Sequence, residues 1–264
     1  MTPYQTLETQ LSHGVAIIWL NRPDIRNAMS DTLIAELTDA FAAAAEDEDV
    51  RAIVLAGHGK AFCAGADLNW MQRAADYTHE QNLADAQRLA TLLDTIARCP
   101  KPTVARVHGP AYAGGMGLVA ACDVAIASTE ATFCLSEVKL GLIPATISPY
   151  VIRAMGQRAA RRWFLSGEVF DAAEAYRIGF VHDLCPAEEL DGTVNALLGQ
   201  FMLGSPQALA SCKRLIDDVA GRPVDAALID DTARRIADAR ASDDGREGLA
   251  SFLDKRKPRW VPQA

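Results

Sequence analysis

A recurring order of short β-prone run, glycine-bearing loop and helical stretch narrows the folds open to this chain more than any other feature. Residues 52–55 lead into Gly57-His58-Gly59, and residues 103–107 lead into His108-Gly109-Pro110 and then Gly114-Gly115-Met116-Gly117. A helix expected over about 80–98 joins the two units, and a third β-run at 123–128 follows a helix over about 114–122. Such alternation predicts a largely parallel sheet with helical crossovers. Ahead of it, Val15-Ala16-Ile17-Ile18-Trp19-Leu20 directly follows the turn residues Ser12-His13-Gly14, which predicts a hairpin over 6–20. Ser30-Asp31 offers cap chemistry to a helix whose apolar positions, Leu33, Ile34, Leu37 and Phe41, recur at three- and four-residue steps to about residue 45. After Pro186 the pattern is helical, over about 187–203, 206–219, 224–239 and 243–255, punctuated by Gly204, Gly221 and Pro223. The expected organisation is an α/β core over 1–185 and an α-helical region over 186–264.

Composition sets the class. Of 264 residues, 50% are hydrophobic and 23% charged, which suits a globular protein with a large core. A formal charge of -8 repels phosphate backbones, so nucleic acid is not an expected partner. The six cysteines form no C-x-x-C pair and have no histidine at zinc spacing, which points to a reduced cytoplasmic protein without a metal. No basic stretch followed by an apolar one opens the chain, and no uncharged run approaches a membrane span, so neither export nor membrane association is expected.

Three segments can carry chemistry. In Gly59-Lys60-Ala61-Phe62-Cys63-Ala64-Gly65-Ala66-Asp67-Leu68, Asp67 is placed to begin a helix, where exposed backbone N–H groups can receive an anionic oxygen. Taken alone it also reads as an ordinary strand-to-helix turn. Gly57-His58-Gly59-Lys60 is not a Walker A loop, because the upstream glycine spacing and the Ser/Thr after the lysine are missing. The second segment, His108 to Gly117, strips side chains from another helix start and lets a carbonyl approach its amides. Gly115-x-Gly117-x-x-Ala120 also matches the dinucleotide pattern, but it follows its strand after six residues and does not open the first βα unit. In the third, Phe133 to Pro144, a lone carboxylate, Glu137, lies among apolar residues. Burial would raise its pKa toward proton-transfer work, whereas a surface Glu137 would pair with Lys139 or a helix amide. No Gly-x-Ser-x-Gly elbow or histidine spacing supports a hydrolase triad. The basic cluster Lys255-Arg256-Lys257-Pro258-Arg259 suits a phosphorylated small ligand or a solvated helix end.

Together with Asn21-Arg22-Pro23, Arg26-Asn27-Ala28, the stretch from Ser166-Gly167-Glu168 to Gly179-Phe180-Val181, and Phe252, these segments in this order resemble the crotonase (enoyl-CoA hydratase/isomerase) superfamily over most of the chain. The resemblance implies a spiral of ββα units with a helical C-terminal trimerisation region, a homotrimer or hexamer, and a coenzyme A thioester as substrate with no separate cofactor. It assigns the oxyanion hole to the N–H groups of Ala66 and Gly114. Ala64, Gly65, Ala66, Asp67 and Leu68 would line the adenine and pantetheine path, and Arg26 and, across a subunit contact, Lys255 would meet coenzyme A phosphates. Family hydratases place two glutamates over the reacting double bond; Glu137 matches the second, while the first falls on Gly117. The loops around Asn69-Trp70-Met71, Cys134-Leu135-Ser136, Ile147-Ser148-Pro149-Tyr150 and Ala159-Ala160-Arg161-Arg162 are most similar to bacterial methylglutaconyl-CoA hydratases of leucine breakdown. Arg73, Lys139 and Arg153 are then candidates for a second substrate carboxylate. A Δ3,Δ2-enoyl-CoA isomerase, for which one base suffices, and a non-catalytic CoA-binding protein are the alternatives. RNA binding, known for one branch of the superfamily, is disfavoured by Glu46-Asp47-Glu48-Asp49.

Overall fold

The computed structural model describes residues 4–261. By internal contacts the chain forms two compact units, one running to Cys99 and from Thr103 to Asn195, the other comprising Pro100–Pro102 and Ala196 onward.

In the first unit, β1 (Leu7–Ser12) and β2 (Val15–Leu20) form the expected antiparallel hairpin, with Ser12 opposite Val15. Its two turn residues, His13 and Gly14, both have positive φ (49° and 79°), as a two-residue turn matched to the strand twist requires. α1 (Asp31–Glu46) follows, capped by the Ser30 hydroxyl, which accepts from Leu33 N. Next come β3 (Ala52–Gly57), α2 (Leu68–Ala75), α3 (His79–Ala97), β4 (Thr103–Val107), β5 (Ala111–Tyr112), α4 (Gly114–Ala121), β6 (Val124–Ser128) and β7 (Thr132–Cys134). α5 (Ser148–Ser166), interrupted at Gly156, then β8 (Val169–Asp171), α6 (Ala172–Arg177), β9 (Asp183–Cys185) and the start of α7 (Leu190–Leu203) complete the unit.

The main sheet has the order β1-β2-β3-β4-β6-β9, and every pairing after the hairpin is parallel. β3 is buried along its whole length, which is why it reads as a continuous apolar run and not as an alternating one. Leu33, Ile34, Leu37 and Phe41 of α1 and Leu92, Leu93 and Ile96 of α3 are buried in one core with Ile53, Leu55, Ala105 and Val107 of the sheet. A second, small sheet sets β5 parallel to β7 and β7 antiparallel to β8. Phe133 at its centre stacks on Phe170 and meets the edge of Phe180.

The second unit is helical. α8 (Pro206–Val219), α9 (Ala226–Ala241) and α10 (Asp243–Leu253) begin at Ser205, Asp225 and Ser242, each of which accepts a first-turn amide on its side chain. Arg235 ties α9 to Asp218 of α8 at 2.7 Å, and the Trp260 indole N–H donates to Leu203 O. Large apolar side chains remain uncovered in the single chain, among them Ile216, Ile229, Phe252 and Leu253. Among the described residues no helix is long and apolar enough to cross a membrane.

Candidate active site

Four backbone segments of the first unit lie side by side and carry the three candidate groups. Residues 26–29 bond to 63–67 through Ala64 N to Arg26 O, Met29 N to Gly65 O and Asp67 N to Met29 O, at 3.0, 2.7 and 2.8 Å. Residues 63–67 in turn meet β5, with Cys63 N donating to Pro110 O and Tyr112 N to Cys63 O. β5 meets β7, and Ala113 N donates to Cys134 O at 2.8 Å.

This ladder explains why two amides are left over. Ala66 is the residue opposite Met29 in a parallel bridge, so its neighbours' groups serve Met29 while its own N–H points to the other side. Ala66 is exposed, and its N–H donates no hydrogen bond among the described residues. Gly114 is the first residue of α4, where no intrahelical acceptor exists; the Ala113 carbonyl receives the later amides of Met116 and Gly117. The Gly114 N–H is likewise free among the described residues. Each amide follows a residue of positive φ: Gly65 at 98° and, against the usual preference of an L-residue, Ala113 at 48°. The two turns are close, since a Cβ on Gly65 would lie 3.7 Å from the Ala113 Cβ.

Asp67, placed in the sequence as a helix start, is the N-cap of α2: its Oδ1 accepts from Asn69 N and Trp70 N. Its Oδ2 accepts from Arg22 Nη2 at 2.7 Å, and Arg22 Nη1 donates to Ala28 O. Burial pulls the Asp67 carboxyl up, but the Arg22 guanidinium and the two amides outweigh it and hold the group below the usual range. Buried Asn27 secures the same corner, accepting from Arg22 N and donating to the carbonyls of His58 and Ala61. The neighbouring Cys63 thiol is pushed up to about 11 by burial, which makes it an inert packing group.

Glu137 opens a 3₁₀ turn, Glu137–Leu140, that closes on Gly141. Parallel β5 and β7 leave their sheet at the same end, so Gly114, two residues past β5, and Glu137, three past β7, emerge at one edge. Glu137 is half-buried and its Oε2 is buried without a hydrogen-bond partner. Among the described residues Glu137 makes no ion pair with Lys139, the surface alternative open in the sequence, and only its own backbone N–H favours the ionised form. Burial pushes the carboxyl above the ordinary glutamate value.

Arg26 is exposed next to Ala64 and makes no ion pair among the described residues, while Ala64 is half-buried and Leu68 strongly exposed. Lys255, in the second unit, is exposed with φ 54°; its neighbours Arg256 and Arg259 are taken up by Glu247 and Asp244. Arg73 is paired with Asp31, and Arg153 stands over the Tyr150 ring. No group of three or more potential metal ligands is assembled among the described residues. The parts that sequence reasoning did not assign a role are Arg22, Asn27, Met29 and Ala113; the first two sit in a motif noted only for its resemblance, and nothing local marks Ala113 as strained.

Comparison with known proteins identifies the family. The family model described as "Enoyl-CoA hydratase/isomerase" matches residues 10–263. An enoyl-CoA hydratase structure from Shewanella pealeana is 44% identical and superimposes with a TM-score of 0.95 over 97% of this chain and 96% of that one. Pseudomonas aeruginosa AtuE is 39% identical, with a TM-score of 0.92 over 98% and 100%. The enoyl-CoA hydratase ACTT6 of Alternaria alternata is 37% identical over 76% of this chain and 66% of its own length. With its three ordered segments, its two unused amides and these relatives, the chain belongs to the enoyl-CoA hydratase/isomerase family of the crotonase superfamily.

Proposed function

We propose that the chain adds water to a 2-enoyl-CoA, with 3-methylglutaconyl-CoA as substrate, through Ala66, Gly114 and Glu137. The observation that carries this reading is the buried, unpartnered Glu137 Oε2 at the sheet edge that also presents the Gly114 amide. The thioester carbonyl oxygen accepts from Ala66 N–H and Gly114 N–H, and both bonds strengthen as the oxygen gains enolate charge; one such donor is worth about 3–4 kcal/mol. Ionised Glu137 takes a proton from water as the water oxygen bonds to Cβ. The enolate then collapses and Glu137 returns that proton to Cα on the same face, so a single carboxyl serves as base and acid. Its raised pKa suits the second role, since a carboxyl that holds its proton more tightly stays protonated longer near neutral pH.

Arg26 and, from a neighbouring subunit, Lys255 meet the phosphates of coenzyme A, and residues 64–68 line its path. Of the three cations considered for the substrate's distal carboxylate, Arg73 is paired with Asp31 and Arg153 stands over the Tyr150 ring, while Lys139 makes no ion pair among the described residues. Subunits associate as a trimer or a pair of trimers, which would cover the apolar side chains left open in the second unit. The test is to mix the protein with 3-methylglutaconyl-CoA and, separately, crotonyl-CoA, following the absorbance of the conjugated thioester and the product mass. Loss of conjugation with gain of one water, faster for the methylglutaconyl thioester, is expected. Hydration of neither would end this reading.

The lone carboxylate also favours a Δ3,Δ2-enoyl-CoA isomerase, which moves one proton between carbons. A 3-enoyl-CoA converted without change of mass would select that reaction.

A further inference from the structure

At Gly117 of α4 the space of the missing side chain is taken by a neighbour's. It lies one turn beyond Gly114, on the same face of the helix and about 4.5 Å along it. A Cβ built there would stand 2.3 Å from Ile147 Cγ2, 2.9 Å from Ile147 Cβ and 3.5 Å from Leu93 Cδ2. Ile147 is 3% exposed and immediately precedes α5, at the far end of the connection that Glu137 begins. The connection between β7 and α5 therefore holds the acid/base group at one end and a packed hydrocarbon side chain at the other.

We infer that Ile147 is a specificity-determining residue: seated on Gly117, it presents a hydrocarbon wall to the β-carbon of the bound acyl group and selects 3-alkyl-branched over straight-chain acyl-CoA thioesters. The inference rests on the proposed placement of the thioester carbonyl on Gly114 N–H. From that anchor the α- and β-carbons lie within the length of one helical turn. No polar side chain can reach this wall from position 117, so a β-methyl group meets carbon and gains contact, while a β-hydrogen leaves the space short of a partner. One methyl group in such a setting is worth about 10–200-fold in selection.

The test uses unreactive saturated thioesters, so that it does not depend on turnover. Affinities for isovaleryl-CoA and butyryl-CoA are measured by calorimetry for the wild type, Ile147→Val and Ile147→Ala, with the turnover of crotonyl-CoA and 3-methylglutaconyl-CoA followed in parallel. A wild-type preference of about tenfold or more for isovaleryl-CoA, lowered in Ile147→Val and near parity in Ile147→Ala, is expected. Equal wild-type affinities, or a preference unchanged by the substitutions, would overturn the inference; Ile147→Val carries the test if Ile147→Ala does not fold. A preference that follows position 147 in a protein that hydrates neither thioester would sink the proposed reaction and leave the wall standing.

Discussion

The turns that present the free amides of Ala66 and Gly114 are held by different physics. The first is clamped by polar side chains: Arg22 grips Asp67 and Ala28 O, Asn27 grips two carbonyls, and Asp67 caps the helix that follows. The second has no side-chain cap at all. It is held by close packing, with Gly115 so near Cys63 that a Cβ would lie 2.4 Å from the carbonyl oxygen, and by one strained residue, Ala113. A charged clamp tolerates small shifts, because hydrogen bonds bend before they break. Backbone packed against backbone does not. The second turn should therefore be the less forgiving of the two.

The largest effect is expected from Gly114→Pro, which deletes the donor and also disfavours the conformation of Ala113 before it. Its kcat should fall about 10²–10³-fold, whereas Gly114→Ala, which meets only the flexible end of Met29, should keep most activity. Equal losses in the two would mean that space, and not the N–H, matters there. Gly115→Ala comes next: with a backbone oxygen in its way it should cost about 1–3 kcal/mol in a denaturation titration and separate the two turns, lowering kcat more than it raises KM. Arg22→Ala should cost about 2 kcal/mol by leaving Asp67 with its amides alone, yet reduce kcat less than Gly115→Ala does. The reverse order would contradict the contrast between clamp and packing. The smallest effect concerns stability at Glu137. Because its folded pKa is raised, the ionised carboxylate opposes folding, and this opposition grows as pH rises through that pKa. Glu137→Gln should thus melt above the wild type at neutral pH, with the gap closing as the buffer is acidified.

Much of this could be read along the chain wherever the cause is local. The Ser12-His13-Gly14 turn, the Ser30 cap, the Asp67 helix start and the glycine-opened α4 each follow from a few adjacent residues, and all are present. The strands β5, β7 and β8 were not legible, since two or three residues carry no period and their pairing joins Ala111 with Phe133 and Phe133 with Phe170. α5 is hidden in the sequence for a related reason: Gly156 and the exposed Arg161 and Arg162 interrupt its apolar face. α2 has no buried residue, so only its cap announced it. At the site, the lone Glu137 among apolar neighbours suggested a raised pKa, but that its Oε2 would lack any partner is a property of packing. Likewise the sequence shows at Gly117 only the loss of a carboxylate, while the side chain that fills its place, Ile147, comes from thirty residues on.

The proposed reaction depends most directly on Glu137 alone moving the proton. Hydration of 3-methylglutaconyl-CoA and crotonyl-CoA by Glu137→Gln should be measured under single-turnover conditions, with binding of an unreactive acyl-CoA determined alongside. A rate reduced on the order of 10²-fold or more with binding retained is the predicted result. A variant that binds the thioester and hydrates it at the wild-type rate would contradict the claim and place the proton transfer on another group.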